Sequence, residues 1–364
     1  MQKEGEFRNS SGCAISGMIN RKGERFTAEK MIKSISTMRE RSNGLGGGFA
    51  GYGIYPEYKD YYALHVFYET ENAKIETERY LNSKFDIVNL SKIPTSKNKN
   101  ITSVPLIWRY FVTPYKTLLD QSQLEEEEYV VKIVFRVNTN IEGAYIFSSG
   151  KDMGIFKAVG YPEDVGQFYR LDEYEGYSWT VHGRYPTNTP GWWAGSHPFG
   201  LLDYSIVHNG EISSYDANRQ AIEMYGYKCN LLTDTEAITY IFDYLHRKQK
   251  LTLEECCHVV AAPFWTTIDK MEESKKAEYT YLRKTFASFI INGPFSIILG
   301  FKGGLLALND RLKLRSLVAA EKGEFTYFSS EECAIRIIEP NLDKLWYPKG
   351  GEPILALLEE GVMR

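Results

Sequence analysis

Four short segments of this 364-residue sequence carry polar groups whose types could do chemistry: Cys13, His182-Gly183-Arg184, His208-Asn209-Gly210-Glu211 and Thr233-Asp234-Thr235-Glu236. Cysteine is the strongest nucleophile among them, since a thiolate attacks carbonyl carbon readily. Each segment also has a structural explanation. A lone cysteine beside apolar residues commonly fills a core, Asn-Gly commonly makes a tight turn, and an aspartate after Thr233 commonly belongs to a helix cap. Chemistry therefore depends on whether the segments meet.

The other cysteines, Cys229, Cys256, Cys257 and Cys333, bring the total to five without a C-x-x-C pair. That number and spacing argue against a disulfide framework, a zinc ribbon or an iron–sulfur cluster. Cys256-Cys257-His258 looks metal-like, but adjacent helical residues diverge by about 100° and no second ligand pair follows. No metal site is expected. Gly46-x-Gly48-x-x-Gly51 matches the bare dinucleotide fingerprint, which needs a strand before it and a helix after it. Here a helical stretch precedes it and the strand-like Gly53-Ile54-Tyr55 follows, so these glycines are read as permitting close backbone approach.

Composition narrows the class of protein. With 43 % hydrophobic and 14 % aromatic residues the chain can bury a sizeable core. Forty-three basic against 47 acidic residues leave a net charge of −4 and no basic field for a phosphate backbone, which excludes nucleic acid as a natural partner. The opening MQKEGEFRNSSG lacks the apolar centre of a signal peptide, and no stretch approaches the ~20 apolar residues of a membrane helix. A cytoplasmic protein with no membrane partner is expected.

The elements that must position the four segments are mixed. Cys13 to Met18 suits a buried strand, and Met31, Ile32, Ile35 and Met38 mark one face of a helix over 28–41 with Thr27 as its N-cap. A hairpin is expected after that helix. Residues 56–128 are polar and irregular and read as solvated loops and helices, whereas Tyr129 to Val137 reads as the clearest strand. Thr233 and Glu236 are spaced as a capping box opening a helix at about Asp234, and Phe295 to Phe301, Gly304 to Leu308 and Phe325 to Phe328 read as strands. This pattern predicts a layered α+β domain.

Taken in order, the four segments resemble the class II glutamine amidotransferases, members of the N-terminal nucleophile hydrolases. The run HGRYPTNTPGWWAGSHPFGLLDYSIVHNGEIS, from His182 to Ser213, is similar to the glutaminase domain of glutamate synthases, in register with the later TDTE. Ala307-Leu308-Asn309-Asp310-Arg311 and Ser329-Ser330-Glu331-Glu332 resemble further family segments, so about two thirds of the chain is covered. The resemblance implies a four-layer α/β/β/α sandwich of the N-terminal nucleophile hydrolase type. It implies Cys13 as nucleophile, its own α-amino group as base, Asn209 and Gly210 as the oxyanion donors, and Arg184 and Asp234 as holders of the substrate α-carboxylate and α-ammonium. His182, His208, Trp192 and Trp193 are read as structural, and Asp310, Arg311 and Glu331 as supports for loops and turns.

The same resemblance sets the expected organisation. Residues 1–12 form a leader to be cleaved, because a Cys13 nitrogen held in a peptide bond has no basic lone pair. Residues 13–364 form the amidotransferase domain, with an insertion at about 56–170. Expected partners are L-glutamine and glutamate-synthase-like subunits carrying flavin and iron–sulfur clusters, with no cofactor on this chain; homo-oligomerisation is left open. The alternatives are a non-catalytic glutamine-sensing or scaffold subunit, or a glutaminase serving another amine acceptor.

Overall fold

Strand Ala14–Asn20 is buried along its whole length and sends alternate side chains to opposite faces. Ala14 and Met18 join Met31, Ile35 and Phe49 in one apolar cluster, while Ile15 and Ile19 join Val207, Ile298 and Leu305 in another. A strand loaded on both faces must lie between two layers. The computed structural model of the chain describes residues 12–186, 191–359 and 361. It puts this strand at the centre of a seven-stranded antiparallel sheet, in the order Lys344–Trp346, Val318–Lys322, Phe325–Ser329, Ala14–Asn20, Ser178–Gly183, Gly47–Tyr52, Met153–Ala158.

A second antiparallel sheet stacks on the Ile15 and Ile19 face. Its five strands run in the order Phe199–Leu201, Tyr204–Gly210, Phe295–Phe301, Gly304–Asn309, Ile354–Leu357. Helices Glu29–Ser36, Pro162–Phe168 and Glu332–Arg336 cover the outer face of the larger sheet, and helix Asp234–Asp243, with Tyr215–Glu223 packed against it, covers that of the smaller one. The layering is α/β/β/α, as the resemblance implies.

Beside this body stands a separate four-stranded sheet, ordered Phe85–Lys92, Leu106–Pro114, Tyr62–Tyr68, Ala144–Ser148, with helices Glu71–Asn82, Lys116–Ser122 and Glu126–Asn140. Leu64, Val66, Tyr110 and Val130 share one apolar cluster with Phe295 and Leu299 of the five-stranded sheet, so the extra sheet is continuous with the main core. It is narrower than the expected 56–170: strand Met153–Ala158 and helix Pro162–Phe168 belong to the main body.

Five local expectations are corrected. Tyr129 to Val137 is helical, within Glu126–Asn140, because a continuous apolar run fits a buried helix as well as a strand. Exposed Lys132 and Arg136 recur at i,i+4, and Glu126 to Glu128 favour the helix N-terminus. Residues 56–128, expected as loops and helices, contain three of the extra sheet's strands. In the glycine-rich stretch the strand is Gly47–Tyr52 itself; it ends before Gly53, and it pairs with distant strands instead of forming a hairpin. The first helix spans only Glu29–Ser36, with Ala28 at its N-cap, since Thr27 is extended and paired with Glu175. Finally, the box at Asp234 is half formed. Thr233 Oγ accepts from the Glu236 N–H at 3.2 Å, but the Glu236 carboxylate accepts from Asn230 and Leu231 N–H at 3.1 and 2.9 Å.

Candidate active site

Cys13 sits just before the central strand, whose Ala14 is in register with Gly183. That pairing delivers Arg184 and Tyr185 beside the thiol, and the Tyr185 N–H donates to Cys13 Sγ at 3.3 Å. Arg41 donates through Nε to the Cys13 carbonyl at 3.2 Å and pairs with Glu331 at 2.6 Å. Gly46 makes room for Arg184: a Cβ there would stand 3.0 Å from Arg184 Cδ and 2.9 Å from Ser196 Oγ. The Arg184 backbone is pinned as well, its N–H donating to Gly46 and its carbonyl accepting from Ser42 Oγ.

Strand Tyr204–Gly210 of the other sheet carries the second half. Alternation sends His208 toward the outer helix and Asn209 toward the seven-stranded sheet, where Asn209 Nδ2 donates to Ser330 Oγ at 3.1 Å. The same Ser330 oxygen accepts the N–H of Ile15 at 3.2 Å, which ties the asparagine to the strand that follows Cys13. Gly210 has φ +154°, and a Cβ on it would lie 2.0 Å from the Pro294 carbonyl oxygen, so only glycine fits. Asp234 opens the covering helix, its Oδ2 accepting from the Ile212 N–H at 3.2 Å and its Oδ1 from the Thr235 hydroxyl at 3.2 Å.

Cys13, Arg184, Gly210 and Asp234 line one cavity of about 300 Å³, together with Tyr185, His197, His208, Tyr215 and Thr233. This lies at the small end of ligand cavities. Asn209 is fully buried just behind it. Burial pushes the Cys13 thiol above its ordinary value, with the Tyr185 N–H and the Arg184 and Arg315 charges pulling the other way. Burial also lowers Arg184, offset by Cys13 and Asp234, yet arginine stays cationic at neutral pH. For Asp234, burial opposes ionisation, but His208, the Ile212 N–H and the Thr235 hydroxyl hold the carboxyl below the usual range. A fixed cation and a fixed anion thus flank a thiol in a space suited to a small zwitterion.

Other sequence expectations have clear places. His182 Nε2 bonds the His208 carbonyl at 2.9 Å, and Trp192 and Trp193 pack edge-on against Tyr145 and Phe67, as structural residues would. His208, also read as structural, lines the cavity. His197 and Tyr185 lie in the His182 to Ser213 run, and Thr235 in the TDTE segment, without a role that the sequence itself marks. The Asp310 carboxylate accepts from the N–H groups of Leu312, Leu314 and Arg315, bracing a loop. Cys256 and Cys257 are buried, and His258 bonds Tyr279 at 2.8 Å. Among the described residues no cluster of His, Cys, Asp or Glu is disposed to hold a metal, and no helix is long and apolar enough to cross a membrane. The expected leader, apart from Gly12, and the Thr187-Asn188-Thr189 part of the motif lie outside the described residues.

The family of class-II glutamine amidotransferases matches residues 60–352, which include Arg184, Asn209, Gly210 and Asp234 but not Cys13. An uncharacterized protein of Archaeoglobus fulgidus is 49% identical over 355 residues, covering 97% of this chain and 94% of its own length. The glutamate synthase [NADPH] large chain of Bacillus subtilis is 26% identical over 75% of this chain, which spans 19% of that protein. An amidophosphoribosyltransferase of Methanocaldococcus jannaschii is 27% identical over 61% of this chain, which spans 43% of it. With its four layers and the extent of that family match, the chain belongs to the class II glutamine amidotransferases.

Proposed function

We propose that this protein hydrolyses L-glutamine to L-glutamate and ammonia on Cys13 and passes the ammonia to a synthase partner. The observation that carries the reading is the convergence of Cys13, Arg184, Gly210 and Asp234, from four distant segments, on one small cavity. Arg184 takes the α-carboxylate of glutamine with its planar fork, and Asp234 takes the α-ammonium. Both together select a free amino acid and direct its side-chain amide to the thiol.

Because burial raises the Cys13 thiol, it is protonated at neutral pH and needs a base. The α-amino group of Cys13, with a reference pKa of about 7.7–8.0, serves once residues 1–12 have been removed. It accepts the thiol proton as Sγ attacks the amide carbon. The resulting oxyanion is held by Asn209 Nδ2–H and the Gly210 N–H. Collapse returns the proton to the amide nitrogen and expels ammonia, leaving a γ-glutamyl thioester. Water, deprotonated by the same amine, then releases glutamate.

The acceptor chemistry belongs to other chains. Similarity to a glutamate synthase large chain over 75% of this chain favours glutamate-synthase-like partners that carry flavin and iron–sulfur clusters, in the cytoplasm. A purified complex with no flavin-bearing partner would overturn that assignment.

The activity is tested on protein whose intact mass shows Cys13 at the N-terminus. Such protein is expected to release ammonia from glutamine, and Cys13→Ala to lower the rate by at least about 10⁴-fold, the scale on which removal of a nucleophile acts. No ammonia release from protein with a free Cys13 would leave a glutamine-sensing subunit instead.

A further inference from the structure

Three histidines and a threonine form a buried cluster directly behind Asp234. His197 Nε2 lies 2.6 Å and His208 Nδ1 3.1 Å from Thr235 Oγ, and the Thr235 hydroxyl donates to Asp234 Oδ1 at 3.2 Å. His182 faces the His208 carbonyl through Nε2 and stacks on His197 with ring centroids 4.3 Å apart. None of the four residues is more than 5% exposed. Burial keeps the imidazoles of His182 and His197 neutral, lowering the former to about 3 and the latter well below its ordinary value.

A hydroxyl has one hydrogen and two lone pairs, and an ionised carboxylate can only accept. The Thr235 hydrogen therefore goes to Asp234, and both imidazole nitrogens facing Thr235 must be N–H donors. His182 Nε2, facing a carbonyl, must be a donor too. On neutral rings this leaves three bare nitrogens: His182 Nδ1, His197 Nδ1 and His208 Nε2. These same three atoms have no hydrogen-bond partner among the described residues. The opposite tautomers would bury unpaired N–H groups, which cores tolerate less well than unpaired lone pairs. Geometry and hydrogen count agree on a single arrangement.

Resting on the reading of Asp234 as the α-ammonium anchor, we propose that Thr235 is a positioning residue for amino-acid binding. Its hydroxyl, held as a donor toward Asp234 by the N–H groups of His197 and His208, fixes the rotation of the carboxylate. The Ile212 N–H pins the other oxygen at 3.2 Å. With its side chain 24% exposed, Asp234 keeps lone pairs turned toward the cavity for the substrate. Thr235→Val keeps the shape but removes the hydroxyl, so the carboxylate loses a donor and both histidines lose their shared acceptor.

The experiment uses the full processed chain with a verified Cys13 N-terminus. Thr235→Val is expected to raise KM for glutamine by about ten- to a hundredfold, the range for a hydrogen bond to a charged group, with kcat within about threefold. Thr235→Ser, which restores the hydroxyl, is expected to return KM to within about threefold of the parent. Long-range ¹H–¹⁵N spectra of the imidazoles should show His208 protonated on Nδ1 and His197 on Nε2, a pattern lost in Thr235→Val. An unchanged KM in Thr235→Val, or the opposite tautomers in the parent, would overturn the proposal. If the parent itself releases no ammonia, the glutaminase reading fails, while the tautomer spectra still decide the role of Thr235. They also decide it if Thr235→Val does not fold.

Discussion

At the scale of single residues, the Asn209 side chain shows how a motif position acquires meaning only from its surroundings. Its Nδ2 is held by Ser330, which also takes the Ile15 N–H, while its Oδ1 has no partner among the described residues. The amide is thus oriented from one side by the strand that follows Cys13. Asn209→Ala should therefore lower kcat for glutamine hydrolysis by about 100- to 1,000-fold, the usual effect of deleting one oxyanion donor, with a much smaller change in KM. Steady-state kinetics on processed protein checks this; a loss confined to KM would assign the residue to substrate binding. The types and order of Cys13, Arg184, Asn209, Gly210 and Asp234 were legible in the sequence. Thr235 and His197 were not, because their importance lies in sharing one hydrogen-bonded oxygen across 38 positions of chain.

Among the elements, strand Gly47–Tyr52 shows why glycine spacing alone misleads. Its glycines let other chain segments press against the sheet. A Cβ on Gly48 would lie 2.3 Å from the His197 carbonyl oxygen and 2.6 Å from that of Phe156, and one on Gly51 would strike the Trp179 ring at 2.6 Å. Backbone on both sides of Gly48 cannot step aside cheaply. Gly48→Ala is expected to cost at least about 1–3 kcal/mol, read as a lower urea midpoint with an unchanged m-value. Helix Glu126–Asn140 teaches the complementary lesson. Its buried run Tyr129, Val130, Val131, Ile133, Val134, Phe135 and Val137 satisfies a strand pattern, and only the spacing of Lys132 and Arg136 reveals the helical period.

Across the whole molecule, Cys13 and Arg184 come from just beyond the ends of two strands of the seven-stranded sheet, Asn209 and Gly210 from the five-stranded sheet, and Asp234 from the helix outside it. Behind that junction lies Glu236, almost wholly buried, whose carboxyl is pushed up to about 8 by burial against the pull of its backbone hydrogen bonds. Burial likewise lowers Lys157 to about 7. Between about pH 5 and 7 the folded state keeps the Glu236 proton that the unfolded chain gives up, so the Glu236 contribution to stability falls as pH rises, by at most about 1.4 kcal/mol per unit, against the buried neutral His65, His182 and His197, which raise stability with pH up to about 6.5. Lys157 is charged in both states over most of that window. Its opposite contribution, stability rising with pH, begins at about pH 7. Glu236→Gln removes this opposing contribution and is expected to make stability rise more steeply with pH across the window. Urea unfolding at the two ends of the window measures it, and parallel slopes in the parent and Glu236→Gln would show that Glu236 is ionised in the fold.

By itself, the sequence determined the α+β class, the central strand after Cys13 and the helix at Asp234. All of these follow from residue types and short-range periodicity, which the chain carries locally. Only the tertiary structure decided that Tyr129 to Val137 is helix, that residues 62–148 build their own sheet, and that Thr235 and His197 stand behind Asp234. Those outcomes depend on which apolar surfaces meet and on which donor faces which acceptor across long separations. A hydrogen bond between residues 197 and 235, or a second layer beneath a strand, leaves no period in the chain for a local reading to detect.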